Sequence, residues 1–168
     1  ELLSCLNKYG PNLQPIIKLI HNSLMAKKKI IEKDELESDL RRILNYGHTF
    51  GHALESVTDN KINHGMAVIW GIDIANFISK QMNMLTEKIF YQLHNVIKEY
   101  FPIKYKEKFS TKKILHFVKK DKKFEAKHIN MALLQKPGNV TIRQVKFDKF
   151  LHKTVTNYLR NFNVLHIN

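Results

Sequence analysis

The sequence predicts a mainly α-helical domain with one short β-hairpin near residues 129–145. Apolar residues recur at helical spacing along most of the 168-residue chain. Residues 66–78 are apolar on nearly every side, which is typical of a buried central helix. Two strand-like stretches, 129–134 and 140–145, flank a Lys-Pro-Gly-Asn turn at 136–139, a pattern typical of a hairpin.

The N-terminal region predicts an amphipathic helix. Pro11 and Pro15 lie at or near its start, where proline is tolerated because first-turn N–H groups have no partner in the helix. Apolar residues continue at helical spacing, so the helix is expected to run to about Ile31. The three lysines at 27–29 are, on composition alone, a solvated helix end.

An acidic patch at 32–39 precedes the next predicted helix. Acidic residues suit a first turn because its exposed N–H groups carry partial positive charge. We therefore predict a second helix that starts near Asp34 or Leu36 and runs to about Val57. Thr-Asp-Asn at 58–60 then predicts a turn.

Three more helices are predicted downstream. Thr86 is a favourable N-cap for one helix, and Pro102 ends it. A short helix is expected at 111–118 and a last amphipathic helix over 147–162. The lysine-rich segment 104–123 is either a solvated surface or an anion-binding loop, and composition leaves both interpretations open.

The composition narrows the function classes. The chain has 28 Lys and Arg against 15 Asp and Glu, a formal net charge of +13. This charge favours an anionic partner: nucleic acid, a membrane surface or a phosphorylated metabolite. A single cysteine excludes an intrachain disulfide framework and fits a reducing compartment. With no signal pattern and no membrane-length apolar run, we expect a cytoplasmic protein without a membrane partner.

The most informative stretch is a polar stripe within the second predicted helix. Its members are Arg41, Asn45, His48, His52 and Glu55. Steps of 4, 3, 4 and 3 residues place them on one helix face. Gly47 and Gly51 lie on a neighbouring line of the predicted helix. Each glycine destabilises a helix by about 1 kcal/mol relative to alanine. We predict that these glycines make room for another backbone or for a ligand.

The histidines in and after this stripe indicate a metal site. His48 and His52 have the i, i+4 spacing of a metal-binding pair. A chain that reverses at 58–63 can also bring His64 beside either of them. Two or three histidines with one carboxylate would complete a Zn²⁺ site with a position left for substrate. Glu55 is then a ligand, a partner that orients a histidine, or a solvated helix end.

At these residues the chain resembles the 3-dehydroquinate synthase family of sugar phosphate cyclases. The matching strings are LNYGHTFGHALE at 44–55 and HGMAV at 64–68, followed by the buried helix. Lys, Ile-Ile, Asp-Glu, Glu and Arg at 27–41 and Asp-Lys-Lys at 121–123 match further family patterns. Met66 departs from the pattern, because many members carry glutamate there.

The resemblance implies that residues 1–168 are the C-terminal metal- and substrate-binding helical domain alone. The chain starts at Glu1, so the NAD-binding α/β domain and a glutamate ligand are expected to precede it. The implied enzyme is an NAD- and Zn- or Co-dependent carbon–oxygen lyase of the shikimate pathway. It converts 3-deoxy-arabino-heptulosonate 7-phosphate to 3-dehydroquinate, and the family is commonly a homodimer. The fragment alone is expected to be inactive.

The resemblance also implies site residues. His48 and His64 match the metal-ligand histidines, and His52 matches a histidine near the transferring protons and phosphate. Lys27, Arg41 and Asn45 match substrate contacts. Glu37 matches an active-site acid, and Lys122 matches a phosphate-binding lysine. Lys119 or Lys123 can align in place of Lys122. Lys27 and Arg41 suit a carboxylate, and His52, Glu37 and Lys27 are the expected catalytic residues.

Three other functions are each compatible with part of the sequence. A paralogous cyclase with another sugar phosphate substrate is compatible with Met66. An iron-type alcohol or glycerol dehydrogenase also uses histidines of a helical domain, but it does not require the cations Lys27 and Arg41 for phosphate and carboxylate. A basic nucleic-acid-binding domain would explain the charge alone, and the sequence lacks a nucleic-acid recognition motif.

Overall fold

The structure, a computed structural model, describes residues 13–36, 40–102, 110–120 and 124–162. The chain divides into two compact units, residues 1–44 and residues 45–168. The organisation of residues 1–168 as one domain stays a prediction. None of the helices in these described ranges combines the length and apolar character that crossing a membrane requires.

The first unit contains helix α1, Leu13–Lys33, which confirms the predicted N-terminal helix. The amide of Asp34 donates to the carbonyl oxygens of Ile30 and Ile31, at 3.1 and 3.2 Å, and closes the last turn of α1. The Asp34 carboxylate accepts a 2.8 Å hydrogen bond from the Arg41 amide. Asp34 therefore follows one helix and does not begin the next, so the predicted start of the second helix near Asp34 or Leu36 is wrong.

The single helix predicted to end at Val57 is also wrong. The described residues form a 3-10 helix, Leu40–Asn45, and then α2, His48–Val57. Gly47 separates the two helices in a left-handed conformation with φ of 80°. The five-residue polar stripe is therefore interrupted, and only His48, His52 and Glu55 share one α-helix. The predicted turn after α2 is confirmed at 58–60.

The second unit is built mainly from helices. They are α2, α3 at His64–Gln81, α4 at Glu87–Tyr100, α5 at Thr111–Lys119 and α6 at Lys149–Asn161. Polar side chains cap four of them: Asn63, Thr86, Ser110 and Asp148 accept hydrogen bonds from first-turn amides. The predicted buried helix is confirmed, and the Asn63 cap starts it at His64 rather than at Met66.

A small antiparallel sheet completes the second unit. Strands β1, Phe124–Glu125, β2, His128–Lys136, and β3, Asn139–Lys146, lie in the order β1-β2-β3. The β2–β3 pair is the predicted hairpin, and Gly138 adopts a left-handed φ of 79° in its turn. The mainly α-helical fold with a hairpin near 129–145 is therefore confirmed.

Helix α3 lies at the centre of the second unit. It packs against α2, α4, α6 and β2, and ten of its eighteen residues are buried. Helix α2 crosses it at glycines. A Cβ on Gly71 of α3 would lie 2.1 Å from the carbonyl oxygen of Gly47, and one on Gly51 would lie 3.0 Å from Cα of Val68. Gly47 and Gly51 thus make room for another backbone, as predicted.

Candidate metal centre

Helices α2 and α3 bring three histidines together. His48 and His52 lie one turn apart on α2, and His64 is the first residue of α3. The ring centroid of His48 lies 5.5 Å from that of His52 and 5.5 Å from that of His64. The ring centroids of His52 and His64 are 6.0 Å apart. The chain reversal after Val57 produces this cluster, because it returns the start of α3 to the face of α2.

His48 is held by the backbone just before it. Its Nδ1 lies 3.3 Å from the carbonyl oxygen of Tyr46, and the side chain is half-buried. A carbonyl oxygen can only accept a hydrogen bond, so this contact requires the proton on Nδ1. In this tautomer the lone pair is on Nε2, the atom through which such an imidazole binds a metal.

His64 is held by a carboxylate in the same way. Its Nδ1 lies 3.1 Å from Oε1 of Glu55, one turn beyond His52 on α2. The Glu55 side chain is only 18% exposed, whereas that of His64 is 59% exposed. A carboxylate on Nδ1 fixes the tautomer and ring orientation of a histidine and leaves Nε2 for a metal.

The geometry also groups a second set of donors. One ligand atom each from His52, Glu55 and His64 lie within 4.8 Å of one another. This grouping uses Glu55 as a ligand, whereas the first uses Glu55 to orient His64. Imidazole nitrogens with a carboxylate oxygen suit Zn²⁺ or Co²⁺ in either arrangement. The donor set of the chain therefore fits a divalent transition metal.

The other predicted site residues are more widely distributed. Asn45 is half-buried at the end of the 3-10 helix. In the first unit, Lys27 is exposed on α1, and the Arg41 guanidinium donates a 2.7 Å hydrogen bond to the carbonyl oxygen of Glu35. Glu37 and Lys122 lie outside the described residues. The substrate-binding and catalytic roles of all five stay predictions.

Tyr46 and Asn76 form a contact that the sequence reasoning missed. The Tyr46 hydroxyl donates to Oδ1 of Asn76, which is fully buried in α3. Burial raises the pKa of Tyr46, so its hydroxyl stays protonated at neutral pH. The available signal was the presence of two polar residues, Asp73 and Asn76, inside the most apolar predicted helix.

Asp73 anchors a second polar cluster in the core. Its Oδ2 accepts from the hydroxyl of Tyr158, at 2.5 Å, and lies 2.6 Å from Nδ1 of His94. All three residues are buried, and they join α3, α4 and α6. Burial raises the pKa of Tyr158, and the Asp73 carboxylate adds to the shift. This cluster connects the helices of the core.

The comparisons with known proteins agree on one family. Residues 3–124 match the family described as 3-dehydroquinate synthase C-terminal. The chain is 36% identical over 171 residues to the 3-dehydroquinate synthase of Pelagibacter ubique, and 38% identical over 135 residues to that of Crocosphaera subtropica. These matches cover 92% and 79% of the chain. They cover only 44% and 37% of the relatives, so the chain spans less than half of their length.

Two solved structures share the fold. A 2-deoxy-scyllo-inosose synthase is 27% identical with a TM-score of 0.68, over 86% of this chain and 40% of that one. The 2-epi-5-epi-valiolone synthase of Streptomyces hygroscopicus, solved with NAD⁺ and Zn²⁺ bound, is 17% identical with a TM-score of 0.70. That alignment covers 96% of this chain and 46% of the other, and at this identity it bears on the fold alone.

Proposed function

This chain belongs to the 3-dehydroquinate synthase family, and from that premise we propose that it is the C-terminal part of a 3-dehydroquinate synthase. The complete enzyme would convert 3-deoxy-arabino-heptulosonate 7-phosphate to 3-dehydroquinate and release phosphate. The observation that carries the proposal is the convergence of His48, His52 and His64 where α2 meets α3. The formal net charge of +13 suits a substrate that carries a phosphate and a carboxylate.

The proposed enzyme uses a divalent metal and NAD⁺. His48 and His64 would hold Zn²⁺ or Co²⁺ through their Nε2 atoms, because oxygen atoms of the chain already contact both Nδ1 atoms. A further ligand and the NAD⁺ site belong to the preceding part of the enzyme. The bound metal would act as a Lewis acid on the substrate alcohol, and NAD⁺ would accept a hydride and return it.

The remaining roles are assigned to residues of this chain. We assign His52 to proton transfer near the phosphate; it is exposed beside the two proposed ligands. Arginine and lysine bind carboxylates through charge-assisted hydrogen bonds, which supports Lys27 and Arg41 as contacts to a carboxylate. The proposed substrate and catalytic contacts are Lys27, Glu37, Arg41, Asn45 and Lys122. The complete enzyme is proposed to be a cytoplasmic homodimer.

A second candidate is a related cyclase that acts on another sugar phosphate. Met66, in the first turn of α3 beside His64, favours it, because many family members carry glutamate at this position. The 27% identical solved structure of the same fold is a synthase named for another product. Both candidates use the same metal site and differ only in substrate.

An assay of the full-length enzyme tests the activity. With 3-deoxy-arabino-heptulosonate 7-phosphate, NAD⁺ and Zn²⁺, we expect one phosphate released per substrate consumed and no net reduction of NAD⁺. The 168-residue chain alone should release none, because NAD⁺ and one metal ligand depend on the preceding part. Turnover of a different sugar phosphate in place of this one would favour the second candidate. Net NADH formation would contradict a cyclase.

Removal of the Glu55 carboxylate should weaken metal binding. In the full-length enzyme, Glu55→Ala is expected to lower Co²⁺ affinity about 10- to 100-fold, because His64 loses the contact on Nδ1 that orients its ring. Glu87→Ala is the matched control, since Glu87 is an exposed carboxylate paired with Lys80 away from the cluster. Equal Co²⁺ affinity in wild type and Glu55→Ala, measured by titration, would show that Glu55 does not orient a ligand.

A further inference from the structure

We propose that Tyr46 and Asn76 are positioning residues for the metal site, because their hydrogen bond fixes the carbonyl group that holds His48. This inference rests on the proposed function, since it treats His48 as a metal ligand. Tyr46 precedes α2, and Asn76 lies in α3, thirty residues further along the chain. The pair therefore connects the turn before one ligand to the central helix of the unit.

Two contacts hold the Tyr46 peptide at its two ends. The side chain is anchored when its hydroxyl donates to Oδ1 of Asn76. The following residue, Gly47, is pressed against α3, where an added Cβ would lie 2.7 Å from the carbonyl oxygen of Val68. These two contacts restrict rotation of the Tyr46 peptide, whose carbonyl oxygen lies 3.3 Å from Nδ1 of His48.

Helix α3 carries one proposed ligand and supports the other. His64 is its first residue, and Asn76 lies twelve residues later on the same helix. His48 lies on α2 but reaches α3 through Tyr46 and Asn76. Both imidazoles are therefore positioned relative to the same rigid helix, α3. A metal site of fixed geometry needs such rigid support.

The burial of Asn76 is difficult to explain by packing alone. The side chain is fully buried, and its Nδ2 has no hydrogen-bond partner within the described part of the chain. A buried amide donor without a partner costs free energy, whereas leucine has nearly the same shape and no polar group. The hydrogen bond that Asn76 accepts from Tyr46 accounts for an amide at this position.

Two variants of the full-length enzyme test this inference. Tyr46→Phe removes only the hydroxyl, and Asn76→Leu removes both the acceptor and the unpaired amide. Each should lower the affinity of the metal-free enzyme for Co²⁺ about tenfold, and change the visible absorption of bound Co²⁺. The double variant should bind Co²⁺ like either single variant, because both remove the same interaction. Thermal unfolding of the double variant should occur at the wild-type temperature or above, because it leaves neither partner of the hydrogen bond buried without the other.

Tyr158→Phe is the matched control, since it removes a buried tyrosine hydroxyl that also donates to α3, at Asp73. It should lower the unfolding temperature and leave Co²⁺ affinity unchanged. Wild-type Co²⁺ affinity in both Tyr46→Phe and Asn76→Leu, with binding lost in His48→Ala, would overturn the positioning role and leave the metal site intact. Normal Co²⁺ binding by His48→Ala would overturn the assignment of His48 as a ligand, on which the positioning role rests.

Discussion

Alanine at His48 or at His64 is expected to remove the bound metal and the activity of the full-length enzyme. Each change deletes an imidazole whose Nδ1 contacts an oxygen of the chain and whose Nε2 would hold the metal. Affinity for Zn²⁺ should fall by more than about 100-fold, beyond the loss that follows removal of a partner outside the coordination sphere. Metal analysis after dialysis, together with phosphate release, measures both effects.

Alanine at His52 should reduce the activity without removing the metal. This residue is exposed and close to both proposed ligands, with ring centroids 5.5 and 6.0 Å away. If it transfers protons, kcat should fall about 10²- to 10⁴-fold while the metal stays bound. His152→Ala is the control for loss of an exposed histidine, since His152 lies on α6.

The same three variants distinguish the two donor sets. If His52, Glu55 and His64 are the ligands, His52→Ala loses the metal and His48→Ala retains it. That result would contradict the assignment of His48 and would move Glu55 from an orienting role to a ligand role. Full metal content in both His48→Ala and His64→Ala would contradict a metal site at this cluster altogether.

Local sequence patterns predicted the helices well but not the break between them. Periodicity and caps reflect neighbouring residues, so Thr86 and the apolar run of α3 were sufficient to predict their helices. The break falls at Gly47, and glycine is needed there for a reason distant in sequence: an added Cβ would lie 2.5 Å from Cγ1 of Ile72. No local pattern reports this close approach of α3.

The candidate site divides in the same way. His64 was expected beside His48 or His52 because the intervening residues predicted a reversal, and the structure brings all three histidines together. The hydrogen bond from Tyr46 to Asn76 spans thirty positions and depends on the register between α2 and α3. That register is set where the glycines of the two helices cross, and Gly71 was not identified from the sequence as part of the crossing.

Gly71 is consequently the position at which one methyl group should most damage the fold. In Gly71→Ala the new Cβ would lie 2.1 Å from the carbonyl oxygen of Gly47 and 2.6 Å from the amide nitrogen of Gly51. Both are backbone atoms, so no side-chain rotation relieves the overlap, and α2 must move away from α3. We expect a loss of about 3 kcal/mol or more in the free energy of unfolding, measured by urea denaturation.

The control is Gly65→Ala in the first turn of the same helix. A Cβ there meets only Oδ1 of Asn63, at 3.8 Å, so the change should be neutral or stabilise by up to about 1 kcal/mol. Because α2 carries His48 and α3 carries His64, the displacement in Gly71→Ala should also weaken Co²⁺ binding under conditions where the protein remains folded. Equal stability of the two variants would mean that the helices do not cross this closely. The proposed packing of Gly47 against α3, which helps to hold the Tyr46 carbonyl, would then be contradicted as well.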